Sequence, residues 1–283
     1  MARRRLSDER TSRLAVWARR CAFFALAATV LAILIVRTGL LEIVPALATF
    51  AGALVFAVIG ILLALGAFIA IWKDGIEGAG HAFAAIAIGV ALIAYPAYLG
   101  VRAYRLPMIN DITTDPIEPP RFDLVARLRP RGTVEYAGLY AAEQQRQAYP
   151  DIEPLTVSAT AQIAYEEAIK VITNRKWRLV VDRPPQANRR EGHIEAVART
   201  PVMGFRDDVA LRVRSIPDGA RIDVRSASRY GRHDFGANAA RIRSLLEDID
   251  EAVSVRTGDD EKRERKTPAK QAQPKAKSQP VRR

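Results

Sequence analysis

The chain has 283 residues, 49% of them AVILMFWYC, and a formal net charge of +12. Residues 21–104 carry three basic and three acidic side chains while residues 105–255 carry 23 and 22, a division that excludes a simple cytosolic enzyme. The positive excess sits at the ends, +5 in residues 1–20 and +6 in residues 256–283, so the folded part has no basic footprint and nucleic acid is not an expected partner.

Residues 1–20 read as a basic cytoplasmic N-terminus, and 21–104 as a three-span transmembrane region. A helix needs about 20 mostly apolar residues to cross the hydrocarbon layer, and three runs qualify. The first, 21–36, is charge-free and flanked by Arg19, Arg20 and Arg37, whose stems can reach the headgroups. It ends in Ile-Val-Arg rather than at a small-residue cleavage site, so it reads as a retained signal anchor. The second, 43–72, has Pro45 near its start, and the third, 82–101, has Pro96 as an expected kink. Trp17, Trp72, Tyr98 and Tyr104 fall near the ends, where amphipathic rings prefer the interface.

Within these runs no Asp, Glu, His, Lys or Arg occurs, which favours an anchor over a transporter. The pairs Gly60 with Ala64, Gly66 with Ala70, and Ala85 with Gly89 have the small-xxx-small spacing of close helix packing within a bundle. Eight Lys or Arg lie on the N-terminal side of the spans and four close to them on the other side. The positive-inside rule therefore predicts a multi-pass protein of the bacterial inner membrane with residues 102–283 periplasmic. Cys21 is the single cysteine, so no disulfide framework is expected.

Seven prolines between 107 and 154 mark 105–151 as a Pro-rich linker that lies against the next domain or spaces it from the bilayer, with a short helix at 139–148. Residues 152–255 form the soluble domain. A helix over 158–174 with Ser158 as N-cap precedes strand-like runs at 177–181, 194–200, 209–216 and 221–228. A last helix over 236–253 has Ile242, Leu245, Leu246 and Ile249 in one stripe. The fold class is thus a three-helix membrane anchor plus an α+β domain, with a four-stranded antiparallel sheet and two packing helices. Residues 256–283 read as a disordered basic tail, able at most to attract anionic lipid headgroups or envelope polymers.

If Asp218-Gly219 forms a tight hairpin loop, Arg214 faces Asp223, Arg212 faces Arg225, and Ile222 and Val224 point to the core. The other face is then a guanidinium and carboxylate lattice. Arg212 and Arg225 could hold an anion between them, against the alternative of a surface ion-pair network worth little.

The stretch from Thr200 through Gly-Phe-Arg-Asp-Asp (204–208) to Arg214, with Asp-Val-Arg-Ser-Ala-Ser-Arg (223–229) and Gly-Ala-Asn-Ala-Ala-Arg-Ile (236–242), resembles a bacterial and plastid family called domain of unknown function 1499. The resemblance covers about residues 152–250. It implies a single domain, often membrane-attached or exported, with no agreed activity.

One candidate ligand-binding cluster stands out: Asp207, Asp208, Arg212, Arg225, Ser226, Ser228, Arg229, Asp234, Asn238 and Arg241. It suits an anionic or sugar-like ligand near a helix N-terminus. Asp207 and Asp208 are adjacent, so on a strand they face opposite sides and do not pair as acid and base. Ser226 or Ser228 with His233 can be imagined as nucleophile and base, or as sheet hydrogen-bonding groups. His193 and His233 lack metal-ligand spacing, and phosphate-loop and nucleophile-elbow motifs are missing, so neither metal nor cofactor is expected and no catalytic residue is assigned. The reading is an envelope binding or structural module, with a tethered enzyme acting through the Arg, Asp and Ser cluster as the alternative. Oligomeric state is not legible.

Overall fold

The computed structural model describes residues 10–39, 43–129, 138–186 and 191–266. Three long helices open the chain, α1 (Arg13–Thr38), α2 (Ile43–Asp74) and α3 (Ala79–Arg105), each long and apolar enough to cross a membrane. α1 starts well before residue 21 because the Ser12 side chain caps it, accepting from the Ala15 N–H at 3.4 Å. Its buried residues are Ala15, Ala18, Ala22, Ala25, Thr29, Ala32 and Val36, a seam with alternating spacings of three and four. Buried with it are Ala53, Ala57, Gly60, Ala64 and Ala67 of α2 and Ala82, Ala85 and Gly89 of α3, the last against Ile61 and Ala57 of α2. Small side chains let the backbones close up: a Cβ on Gly60 would lie 3.2 Å from the Ala18 carbonyl oxygen. The Gly60 with Ala64 and Ala85 with Gly89 spacings therefore serve packing inside the bundle.

After the bundle come β1 (Asp111–Thr113), α4 (Leu124–Arg127), α5 (Gly138–Ala148), β2 (Leu155–Val157), α6 (Ala161–Asn174), β3 (Arg178–Arg183), β4 (Glu191–Arg199), β5 (Arg206–Ile216), β6 (Gly219–Ser228) and α7 (Ala237–Lys266). The antiparallel sheet has six strands rather than four, in the order β1-β6-β5-β4-β3, with β2 also on β6. Both added strands are three residues long and share the outer edge of β6, β1 against 225–227 and β2 against 220–222. β1 comes from the segment read as a linker, which is built into the domain. The Gln145 side chain closes the edge of β1, accepting from the Thr113 N–H at 3.0 Å and donating to the Thr113 carbonyl at 2.7 Å.

Helices α6 and α7 cover one face of the sheet. The core there includes Ile172, Ile194, Val209, Leu211, Val213, Ile222, Val224, Ile242, Leu245 and Ile249. α6 begins later than expected, because Thr160 rather than Ser158 caps it, accepting from the Ile163 N–H. α7 runs past 253 to Lys266, so residues 257–266 are helical rather than part of a disordered tail. Helix-favouring Glu, Lys and Arg fill 261–266, ahead of the first proline, Pro268. The remainder of the tail, 267–283, lies outside the described residues.

The β5–β6 hairpin differs by a two-residue step. Its loop is Pro217-Asp218, Gly219 pairs with Ile216, and Arg212 rather than Arg214 faces Asp223. The step is even, so face parity survives: Ile222 and Val224 do point to the core. The cause is β2. Gly219 takes φ +144° in the strand beside it, where a Cβ would lie 2.0 Å from the Val157 carbonyl oxygen.

Domain and bundle are joined at one end. Arg37 of α1 donates to the carbonyls of Pro201 (2.6 Å) and Val202 (3.1 Å), and Arg199 donates to the Arg37 carbonyl at 3.0 Å. Met203 is buried with Val36 and Ala46. His233 Nε2 lies 3.2 Å from the Leu106 carbonyl and 3.3 Å from that of Ala103 at the end of α3.

Replacing Gly219 by Ala drives a methyl group into the Val157 carbonyl and should destabilise the chain by about 3 kcal/mol. The same change at Gly52 inside α2, where an added Cβ meets no neighbouring element, should leave stability unaltered or raise it by up to about 1 kcal/mol. Thermal unfolding of the two detergent-solubilised variants checks the contrast.

Candidate functional site

The ten candidate residues do not form one cluster; the sheet divides them. Asp207, Ser226, Ser228, Asp234, Asn238 and Arg241 lie on the helix-covered side, where they knit the N-terminus of α7 to the ends of β5 and β6. Arg241 donates to Asp207 Oδ2 (2.5 Å), Asn238 Oδ1 (2.6 Å) and Ser226 Oγ (2.9 Å). Asn238 Nδ2 donates to Ser228 Oγ and to the Asn110 carbonyl, both at 3.0 Å. Asp234 accepts the backbone N–H of Gly236 (2.8 Å) and Asn238 (2.9 Å), a cap on α7. Burial pushes the Asp207 and Asp234 carboxyls up, against the lowering effects of Arg241 on the first and of the two backbone N–H groups on the second. His233 spends its ring on backbone, since its Nδ1 accepts from the Phe235 N–H at 2.9 Å. Ser226 and Ser228 are hydrogen-bonded to Asn238 instead. The nucleophile and base arrangement is not formed.

Asp208, Arg212, Arg225 and Arg229 lie on the opposite face, and the carboxylates that match them come largely from the former linker. Asp223 Oδ2 accepts from Arg212 (3.1 Å) and Arg214 (3.0 Å), and its Oδ1 from Arg221 (3.0 Å). Asp115 Oδ2 accepts from Arg212 (3.0 Å) and Arg221 (3.2 Å). Arg225 grips Asp111 with two bonds of 3.0 and 2.7 Å and lies 4.5 Å from the centre of the Phe122 ring. Asp208 accepts two bonds from Arg229 (2.9 and 2.7 Å) on Oδ1 and one from Arg129 (2.7 Å) on Oδ2. The expected anion clamp between Arg212 and Arg225 is therefore filled by Asp115, Asp223 and Asp111. Asp111, Asp208, Asp223 and Arg229 are all at most 5% exposed, so this is a buried lattice and not a surface network.

Sequence reasoning also missed Glu195. It is fully buried on the same face, and with Asp123 and His193 it brings three possible metal-ligand atoms within 4.8 Å of one another. The carboxylate is already saturated. Its Oε1 accepts the Asp123 N–H and lies 3.0 Å from His193 Nε2, while its Oε2 accepts the N–H groups of Leu124 (3.0 Å) and Val125 (2.8 Å). With four lone-pair sites used and Asp123 paired to Arg183, the donor set does not suit a cation. Burial acts to raise the Glu195 carboxyl, but His193 and the backbone N–H groups outweigh it and hold the carboxyl below its ordinary value of 4.5.

Among the recesses open to solvent is one of about 520 Å³ at the bundle-facing end of the sheet. Arg175, Lys176, Arg178, Arg199, Arg206 and Arg229 line it, with Trp177, Leu128 and Val197 as apolar wall. Arg175 is braced by Asp248 (2.6 Å) and Ser244 Oγ (2.6 Å) and lies 5.4 Å from the centre of the Trp177 ring. Among the candidates named from sequence only Arg229 reaches this recess. The signal that could have found it is the run Arg-Lys-Trp-Arg at 175–178.

Two outcomes follow from the lattice. Asp208→Asn leaves Arg129 and Arg229 buried without their counter-charge and should cost about 3–5 kcal/mol, whereas Glu118→Gln at the exposed rim should cost less than about 1 kcal/mol; denaturant unfolding separates them. Because the Glu195 pKa is depressed, its contribution is present above 4.5 and is lost as pH falls through the folded value. Melting temperature measured from about pH 6 to about pH 3 should fall less steeply in Glu195→Gln than in the natural chain.

Residues 111–249 match the model of a family described as Protein of unknown function (DUF1499). No curated protein matches the chain. The match begins with the first residue of β1 and ends within α7, enclosing the whole sheet and both of its covered faces. The part of the chain carried on the three-helix bundle, residues 111–249, is thus similar to the DUF1499 family over the whole of its sheet.

Proposed function

We propose that the protein is an inner-membrane component of the cell envelope whose three helices cross the bilayer and whose DUF1499-like domain is an extracytoplasmic binding module. The observation that carries this reading is the junction between domain and bundle. Arg37, Met203 and His233 fasten the domain to the ends of α1 and α3, beside a recess that presents cations and a tryptophan ring. The charge distribution supports the orientation, with the larger group of Lys and Arg at the opposite end of the helices. Trp72 and Tyr104, 90% and 93% exposed near opposite ends of the bundle, suit the two interfaces of a bilayer. The partners on this reading are the bilayer itself and an anionic envelope ligand or lipid headgroup.

A tethered enzyme working through the Arg, Asp and Ser cluster is the weaker reading, because those side chains are bonded to one another rather than converging on a cavity. A reporter active only outside the cytoplasm, fused after Lys266, should be active. Silence of that fusion with activity of a cytoplasm-only reporter at the same position would reverse the orientation.

A further inference from the structure

On the two sheet faces away from the recess, arginines meet carboxylates: Arg129 and Arg229 share Asp208, Arg212 and Arg221 share Asp115 and Asp223, Arg225 has Asp111, and Arg241 has Asp207. The recess breaks this pattern. Of its six cations Arg175 and Arg229 have acidic partners, but Lys176, Arg178, Arg199 and Arg206 form no ion pair among the described residues. Crowding uncompensated like charges around one concavity is unfavourable unless something anionic enters it.

We propose that this recess binds a phosphoryl group, its occupant being the headgroup of an anionic phospholipid. Guanidinium forks match phosphate oxygens with paired hydrogen bonds, and four forks line the recess: Arg178 and Arg206, Arg199 with one N–H on the Arg37 carbonyl, and the braced Arg175. Bracing of Arg175 by Asp248 and Ser244 fixes one donor group in advance, which lowers the entropy lost on binding. The wall of Trp177, Leu128 and Val197 suits the glycerol and first methylenes of a lipid better than a bare ion. Position decides the source. Arg199 donates to the carbonyl of Arg37, and Arg206 Nη2 comes within 3.1 Å of where a Cβ of Gly39 would stand, so the recess adjoins the end of α1. The lipid assignment rests on the proposed membrane crossing of α1; the phosphoryl site itself does not.

The chain has three tryptophans, so Trp17→Phe with Trp72→Phe leaves Trp177 as the single reporter in the wall of the recess. The full-length protein in detergent is titrated with water-soluble short-chain phosphatidylglycerol, short-chain phosphatidylcholine and inorganic phosphate while Trp177 emission is read. Saturable binding of phosphatidylglycerol is expected, weakened about tenfold or more by Arg178→Ala with Arg206→Ala and partly restored by Lys at both positions. Both residues are exposed, so an unchanged melting temperature accompanies the loss. Equal affinity for inorganic phosphate upholds the phosphoryl site and assigns it to the free ion. Absence of saturation, undiminished affinity in the double variant, or equal binding of phosphatidylcholine overturns the proposal. None of these readings depends on which side of a bilayer the domain occupies, so failure here and failure of the reporter fusion are separate results.

Discussion

Carboxylates buried on the face of the sheet turned away from α6 and α7 impose most of what is particular to this domain. Asp111, Glu195, Asp208 and Asp223 have almost no access to water, and an ionised group can stay there only if every oxygen has a donor. The donors are Arg129, Arg212, Arg225 and Arg229 from the strands and their flanks, with backbone N–H groups at the start of α4. This requirement draws residues 111–129 across the sheet. It also fixes register, because a slip of one residue would carry the charged set into the apolar core under the helices. Replacing such a lattice with apolar side chains is often neutral in stability, so its yield is the single arrangement it permits rather than a large favourable energy.

The bundle obeys the opposite chemistry. Its seams are alanine and glycine, with the large apolar side chains turned outward: Phe23, Phe24, Leu62 and Phe83 are all more than half exposed. Close backbone approach between helices, rather than removal of big side chains from solvent, holds α1, α2 and α3 together. The two regimes meet at the loop between β4 and β5, where Met203 enters the bundle and Arg37 binds carbonyls of the domain.

Long periodic signals were legible in the sequence and short ones were not. The three apolar helices, the stripe of α7 and the face parity of β5 and β6 can be read directly, since each repeats over many residues. β1 and β2 have three residues apiece, too few for an alternation to show, and β1 lies among prolines that suggest a linker. That omission spread to the site. Arg212 and Arg225 read as unpaired in the sequence because Asp111 and Asp115 lie about a hundred residues upstream. Asp-Gly at 218–219 is a strong turn signal, yet contact with Val157 keeps Gly219 in the strand. The recess escaped notice because Arg178, Arg199 and Arg206 stand at the ends of three different strands, adjacent only once the sheet has formed.

Only residues 106–110 separate the end of α3 from the start of β1. Fully stretched, a segment of that size spans roughly 3.3–3.6 Å per residue, and here it is further restrained by His233 on the Leu106 carbonyl. So short a leash removes any orbit for the domain. Whatever it captures must come to it by lateral diffusion or by lodging at the foot of the helices, and reach toward distant targets would have to be supplied by another molecule.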